Sequence, residues 1–240
     1  MSDSDSDDII NFYELDEVKE FTPEYHNPCY NEETFPVKHP FRALVVGSSG
    51  SGKTNITMNI IQKSSGTFNS IMLFTANKKE PLYEYLESVI PAEQLEIYEG
   101  LSHLNSMDLN SEIGSGGQVL VIFDDLVLSK DQGQIETLYL RGRKANNNSG
   151  ISILYLSQSY HMVPSVIRKN ITFIIIKRLG TRRDRTAVVR ECSGQLEKED
   201  LLALYEYCVT NSFKDFLFID LGAEENKRYR KNFRHVLSVE

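Results

Sequence analysis

Short apolar runs recur along the chain, each divided from the next by a polar or amphipathic stretch. Residues 41–46 read F-R-A-L-V-V, 70–75 read S-I-M-L-F-T and 118–123 read Q-V-L-V-I-F. Residues 151–156 (I-S-I-L-Y-L), 171–176 (I-T-F-I-I-I) and 216–220 (F-L-F-I-D) complete the set. Each run has strand length and is rich in β-branched, aromatic or other apolar residues, so each predicts a buried strand. L-E-I-Y at 95–98 is a shorter candidate. Helical spacing fills the gaps at about 55–61, 82–90 and 132–144, in a short piece at 164–169, and again near 181–190 and 196–208. Strands alternating with helices predict an α/β fold: a mostly parallel central sheet, helices on both faces, and right-handed crossovers.

The remaining stretches read differently. Residues 99–117 end in I-G-S-G-G, which predicts a flexible approach to the next strand. The first eight residues are an acidic Ser/Asp run that cannot bury enough apolar area to offset its ordering entropy, so disorder is expected there. Residues 9–40 mix apolar positions with Pro23, Pro28, Pro36 and Pro40, the mark of an extended arm with short helical pieces. The chain therefore divides into a tail and arm over 1–34 and an α/β domain over 35–240.

Composition narrows the class. At 240 residues, 40% hydrophobic and 25% charged, the chain suits one domain that builds its core without disulfides. Cys29, Cys192 and Cys208 are far apart and form no C-x-x-C pair, which argues against zinc and disulfides and makes a reducing compartment the default. No apolar stretch approaches membrane-span length, and the acidic N-terminus does not read as a secretory signal. The net charge is −8, of which Asp3, Asp5, Asp7 and Asp8 supply half. Any contact with nucleic acid must then come from a local basic patch.

The chemistry begins right after the first strand. Gly47, Ser48, Ser49, Gly50, Ser51, Gly52, Lys53 and Thr54 match G-x-x-x-x-G-K-[ST] at every defined position, between a predicted strand and a predicted helix. Glycines let the backbone wrap a polyphosphate, its N–H groups form an anion nest, and the helix N-terminus adds a positive dipole end. Lys53 should reach the β- and γ-phosphates and Thr54 should hold Mg²⁺. Further on, V-L-V-I-F-D-D is an apolar strand tipped by acids, where ligand sites of open α/β sheets lie. Asp124 is expected to support Mg²⁺, and Asp125 to polarise a water for attack on the γ-phosphate. A second acid here favours a P-loop hydrolase of the RecA-like, additional-strand class. N-K-K-E at 77–80 only mimics a guanine-reading motif: it precedes Asp124 and ends in Glu80, so ATP is the expected nucleotide. In that class the next strand, ending L-S-Q-S, lies between the two phosphate strands, which makes Gln158 a candidate γ-phosphate sensor. Arg141 and Arg143, in R-G-R-K, are candidates for a guanidinium supplied to the next subunit's site. Basic residues at a helix C-terminus are also ordinary dipole partners, and the choice between the two arginines stays open.

Together G-S-S-G-S-G-K-T-N, V-I-F-D-D, R-G-R-K and L-Y-L-S-Q-S-Y resemble the DNA-packaging ATPases of large cytoplasmic DNA viruses, poxviruses among them, and of virophages. These belong to the HerA–FtsK superfamily. The resemblance spans about residues 35–235. It implies an ATP-hydrolysing ring, pentamer or hexamer, that pumps double-stranded DNA into a capsid, working in the virion or a viral factory in the host cytoplasm. It implies Lys53, Thr54, Asn55 and Asp124 at Mg–ATP, Asp125 as the catalytic acid, Gln158 as the sensor, and possible contact with a capsid or portal-vertex protein. One departure stands out: many superfamily members carry Glu where this chain has the shorter Asp125. DNA would need basic groups facing a channel, and Lys177, Arg178, Arg182, Arg183 and Arg185 form the best candidate cluster. A second cluster, Lys227 to Arg234, reads instead as a protected edge strand. Two other readings share the ATP site: a motor acting on another substrate, as in secretion or conjugation, and a nucleotide-dependent assembly scaffold.

Overall fold

A computed structural model describes residues 10–109, 111, 113–114, 116–129, 132–210 and 212–238. The acidic run expected to be disordered lies outside the described residues. The arm begins with a 3-10 turn (Phe12–Glu14) and α1 (Asp16–Lys19) and then runs extended. After it come β1 (Arg42–Val46), α2 (Lys53–Lys63), β2 (Ser70–Thr75), α3 (Pro81–Val89), β3 (Leu95–Glu99) and α4 (Ser102–Ser106). Next are β4 (Val119–Asp124), α5 (Gly133–Arg141), β5 (Ile151–Ser157), α6 (Ser165–Lys169), β6 (Phe173–Ile176) and α7 (Arg182–Cys192). α8 (Lys198–Val209), β7 (Leu217–Asp220), β8 (Tyr229–Lys231) and β9 (His235–Val236) close the domain.

The strands form one sheet in the order β3-β2-β4-β5-β1-β6-β7-β8-β9. From β3 to β6 all neighbours are parallel, and β7 to β9 add an antiparallel edge. The apolar runs are continuous because both faces are covered. Alternate residues of β1 enter different cores: Leu44 and Val46 face α4 to α8, while Ala43 and Val45 face α2 and α3. The arm packs on its own domain. Gln118, at the start of β4, exchanges hydrogen bonds with the His26 backbone at 2.6 and 2.7 Å, and Phe35 and Val37 are buried.

Three local expectations change. α2 begins at Lys53, earlier than apolar spacing alone suggests, because Gly52 takes a left-handed φ of 89° and turns the loop straight into the helix. The stretch 99–117 contains α4, pinned by buried Leu101, Leu104 and Ile113; a helix this short leaves almost no periodicity to read. The basic strand β8 is not the edge: β9 pairs outside it, and Arg230 turns inward, its Nη1 donating to the Phe233 carbonyl at 3.3 Å.

Candidate active site

β1 sits mid-sheet, so the loop leaving its C-terminal end is flanked by the ends of β5 and β6. It is fastened to both. Gly47 N donates to the Ser157 carbonyl at 3.1 Å, and Ser48 N donates to the Arg178 carbonyl at 2.9 Å. Gly50 and Gly52 hold φ values of 70° and 89°, a region side chains avoid, and this lets the chain curl before α2. Lys53, the first residue of α2, folds back over the loop, with Nζ donating to the Gly47 and Ser48 carbonyls at 3.0 and 3.3 Å. Burial lowers its pKa, and Asp125 and Asp124 pull in the opposite direction.

The acids arrive from β4. β4 reaches β1 only through β5, with Ile122 opposite Leu154 and Leu154 opposite Ala43. Asp124 is buried, and Tyr83 of α3, itself fully buried, donates its hydroxyl to Asp124 Oδ2 at 2.6 Å. Burial lifts the Asp124 carboxyl to about 6 against that hydrogen bond, and it pushes the Tyr83 phenol far up as well. Asp125 follows with a left-handed φ of 52°, a conformation Asp tolerates better than most residues. Gln158, just past β5, donates from Nε2 to Asp125 Oδ2 at 2.8 Å, leaving Asp125 Oδ1 buried without a partner.

A cleft of about 410 Å³ opens over these groups. Ser49, Gly50, Gly52, Lys53, Thr54, Asn55, Asp124 and Asp125 all line it, so residues drawn from two distant motifs share one wall. The donor set fits a divalent cation beside an anionic ligand. It offers the Thr54 hydroxyl, a carboxyl deprived of solvation at Asp124, and an unpartnered oxygen at Asp125. Among the described residues no cluster of three or more His, Cys, Asp or Glu could hold a metal ion alone, so a cation here would depend on phosphate oxygens as well.

The same cleft exposes what sequence reasoning missed. Tyr83 drew no notice within the helix expected at 82–90; only the approach of α3 to β4 makes it the partner of Asp124. The N-K-K-E segment, set aside as a coincidental polar loop, brings Asn77 and Glu80 to the cleft wall, because β2 is the neighbour of β4. Asp184 also escaped notice. It is buried at the start of α7 and accepts from the Ser159 hydroxyl at 2.7 Å, the His161 N–H at 3.0 Å and the Thr181 hydroxyl at 2.6 Å. It thereby ties α7 to the loop that carries Gln158.

The basic candidates separate. Lys177 is corrected: it is only 1% exposed and cannot present its charge to DNA. Its ammonium lies under the loop and donates to the Phe213 carbonyl at 2.5 Å, and burial lowers its pKa to about 8. It is buried because it continues β6 beside β1, its N–H donating to the Val46 carbonyl at 2.8 Å. Arg178, Arg182, Arg183 and Arg185 are exposed at the same end of the sheet. Arg141 and Arg143 are exposed at the opposite end, before β5, where the Arg143 carbonyl accepts from the Tyr25 hydroxyl at 3.3 Å. The length of β1, about 16 Å, separates them from the loop of their own subunit, so neither acts on it.

A parallel sheet with one strand inserted between a phosphate-loop strand and an acid-tipped strand defines a P-loop NTPase of the additional-strand class. Within that class, the chain belongs to the poxvirus A32 protein family, whose model matches residues 31–219. It is 31% identical over 160 residues to the DNA packaging protein OPG160 of vaccinia virus (strain Copenhagen), a match that covers 60% of this chain and 57% of the relative. The matched region thus spans little more than half of that relative. Among solved structures, the fold is similar to the genome packaging NTPase B204 of Sulfolobus turreted icosahedral virus 2 in complex with ATP-gammaS. That likeness has a TM-score of 0.56 at 14% identity and covers 84% of this chain and 100% of that one. It is also similar to ATPases 2 and 3 of EssC from Geobacillus thermodenitrificans, with a TM-score of 0.51 at 11% identity over 75% of this chain and 38% of the other. At these identities the likeness is one of fold.

Proposed function

We propose that this chain is an ATP-hydrolysing motor that moves double-stranded DNA into a viral capsid as a ring of subunits. The observation that carries it is the convergence of Lys53, Thr54, Asp124, Asp125 and the Gln158–Asp125 hydrogen bond on one cleft. The 31% identity to a poxvirus DNA packaging protein supports the substrate. In this reading the loop N–H groups and Lys53 hold the β- and γ-phosphates. Thr54 and Asp124 hold Mg²⁺, which supplies charge to the phosphate oxygens when bound. Asp125 accepts the proton of the attacking water. Gln158 donates to Asp125 Oδ2 at 2.8 Å. Gln158 thereby holds the shorter acid in place and registers loss of the γ-phosphate through the same bond.

Arg143 or Arg141 serves the site of the neighbouring subunit, since neither reaches its own. Exposed Arg178, Arg182, Arg183 and Arg185 contact DNA phosphates without regard to sequence. A capsid or portal-vertex protein anchors the ring, and the site of action is the virion or a viral factory in the host cytoplasm.

The test is ATP hydrolysis measured with and without duplex DNA, across protein concentrations. Hydrolysis should rise with DNA and climb steeply with concentration, and Lys53→Ala and Asp125→Asn should abolish it. Equal rates with and without DNA, under conditions that form rings, would remove DNA as the substrate and favour a motor acting on protein. Full biological function in Asp125→Asn would instead point to an assembly scaffold.

A further inference from the structure

The loop between α8 and β7 places Phe213 against the phosphate loop. Its ring stands 3.3 Å from where a Cβ on Gly52 would lie, yet the side chain is 62% exposed. The ring stands in water beside the loop while the backbone behind it is tied to a buried lysine. The Phe213 carbonyl is the acceptor for the buried Lys177 ammonium at 2.5 Å, and Lys177 is itself wedged beneath Gly47 and Gly52. The ring is thus mounted on the same scaffold as the loop.

Two clefts meet at this ring. One is the 410 Å³ cleft with Lys53, Asp124 and Asp125; the other, about 420 Å³, is walled by Lys177, Arg178, Thr210, Ser212 and Asp215. Ser49, Gly50 and Phe213 border both, and Phe213 is the one aromatic residue lining either, among the described residues. The direction of a bound nucleotide follows from charge. Its γ-phosphate belongs at Lys53 and the two acids. Its α-phosphate and sugar must then leave past Gly52 and the first turn of α2, on the side where Phe213 stands.

We infer that Phe213 is the platform on which the base of the bound nucleotide stacks. The inference rests on the nucleotide-site reading above. Stacking of a base on an aromatic ring changes affinity by about 10- to 100-fold when the ring is removed.

The experiment separates base from phosphate. Binding of Mg–ATP and of inorganic tripolyphosphate is measured by calorimetry for the full chain and for Phe213→Ala. Phe213→Ala should lose about 10- to 100-fold in ATP affinity and bind tripolyphosphate as the parent does. Phe213→Trp should restore ATP binding. Because the chain contains no tryptophan, that variant also carries a single reporter, which ATP should quench and tripolyphosphate should not. Unchanged ATP affinity in Phe213→Ala, or an equal loss for both ligands, overturns the inference and leaves the nucleotide site standing. Failure of the parent chain to bind either ligand removes the nucleotide-site reading itself, and the stacking role with it.

Discussion

Replacing Asp124 with Asn should make the ligand-free protein more stable while removing the proposed cation site. Asp124 is a carboxyl in a dry place: only 9% exposed, between Tyr83 and the phosphate loop. Burial raises its pKa from 3.8 to about 6, although the Tyr83 hydroxyl works to lower it. The sign follows from where each state holds its proton. Below pH 3.8 both folded and unfolded chains carry it, and the group contributes nothing. Between 3.8 and about 6 the unfolded chain ionises first, so stability falls as pH rises, and above about 6 the full penalty is present. A shift of this size corresponds to roughly 3 kcal/mol at pH 7. Burying an amide instead returns part of that, leaving a gain of about 1–2 kcal/mol for Asp124→Asn. For a chain of this size that is roughly 2–8 °C in Tm. The assay is thermal unfolding of both proteins from pH 4 to 8, without nucleotide and with divalent cations chelated. The gap should be widest at pH 7–8 and close toward pH 4. Equal melting at neutral pH, or a gap that does not shrink on acidification, would refute burial as the origin of the shift. The stability that the parent gives up is what a cation recovers in the proposed site, since an unsolvated carboxylate binds it without first shedding water.

Three further outcomes follow from the same geometry. Tyr83→Phe removes the hydroxyl that favours ionised Asp124; a hydrogen bond to a charged group of about 1.5 kcal/mol should raise the Asp124 midpoint by about one unit, read from its carboxyl carbon shift. Gly47→Ala would set a Cβ 2.5 Å from Lys177 Cβ and 2.6 Å from Ser51 Oγ. It should destabilise the fold by about 1–3 kcal/mol and weaken nucleotide binding, measured by thermal unfolding and by calorimetry. Asp184→Ala leaves the Ser159 hydroxyl and His161 N–H without their acceptor; a loss of about 2–3 kcal/mol in urea unfolding is expected, with Asp184→Asn losing less.

Much of the site was legible because its chemistry is contiguous. The loop from Gly47 to Thr54 is one unbroken segment, and its glycines, lysine and threonine each match a motif position that spacing alone identifies. The acid-tipped β4 is equally local, and apolar runs followed by polar tips show where strands end. Even the sheet order around the site could be anticipated, since the additional-strand class puts the strand ending L-S-Q-S between β4 and β1, where it stands.

What the chain alone could not decide was which side chains meet across elements. Lys177 looks like its arginine neighbours in the string K-R-L-G-T-R-R, but its place beside Val46 drives it into the interior while Arg178 stays out. Tyr83 has the spacing of any core residue, and Asp184 sits alone in a basic stretch. Their roles depend on contacts with residues 41 and 25 positions away. Sequence patterns encode what a segment does with its own backbone and with solvent. Burial of a charge, the partner that satisfies it, and the end of the sheet on which Arg141 and Arg143 stand arise only when strands distant in sequence come into register, because the environment that sets those properties belongs to no single segment.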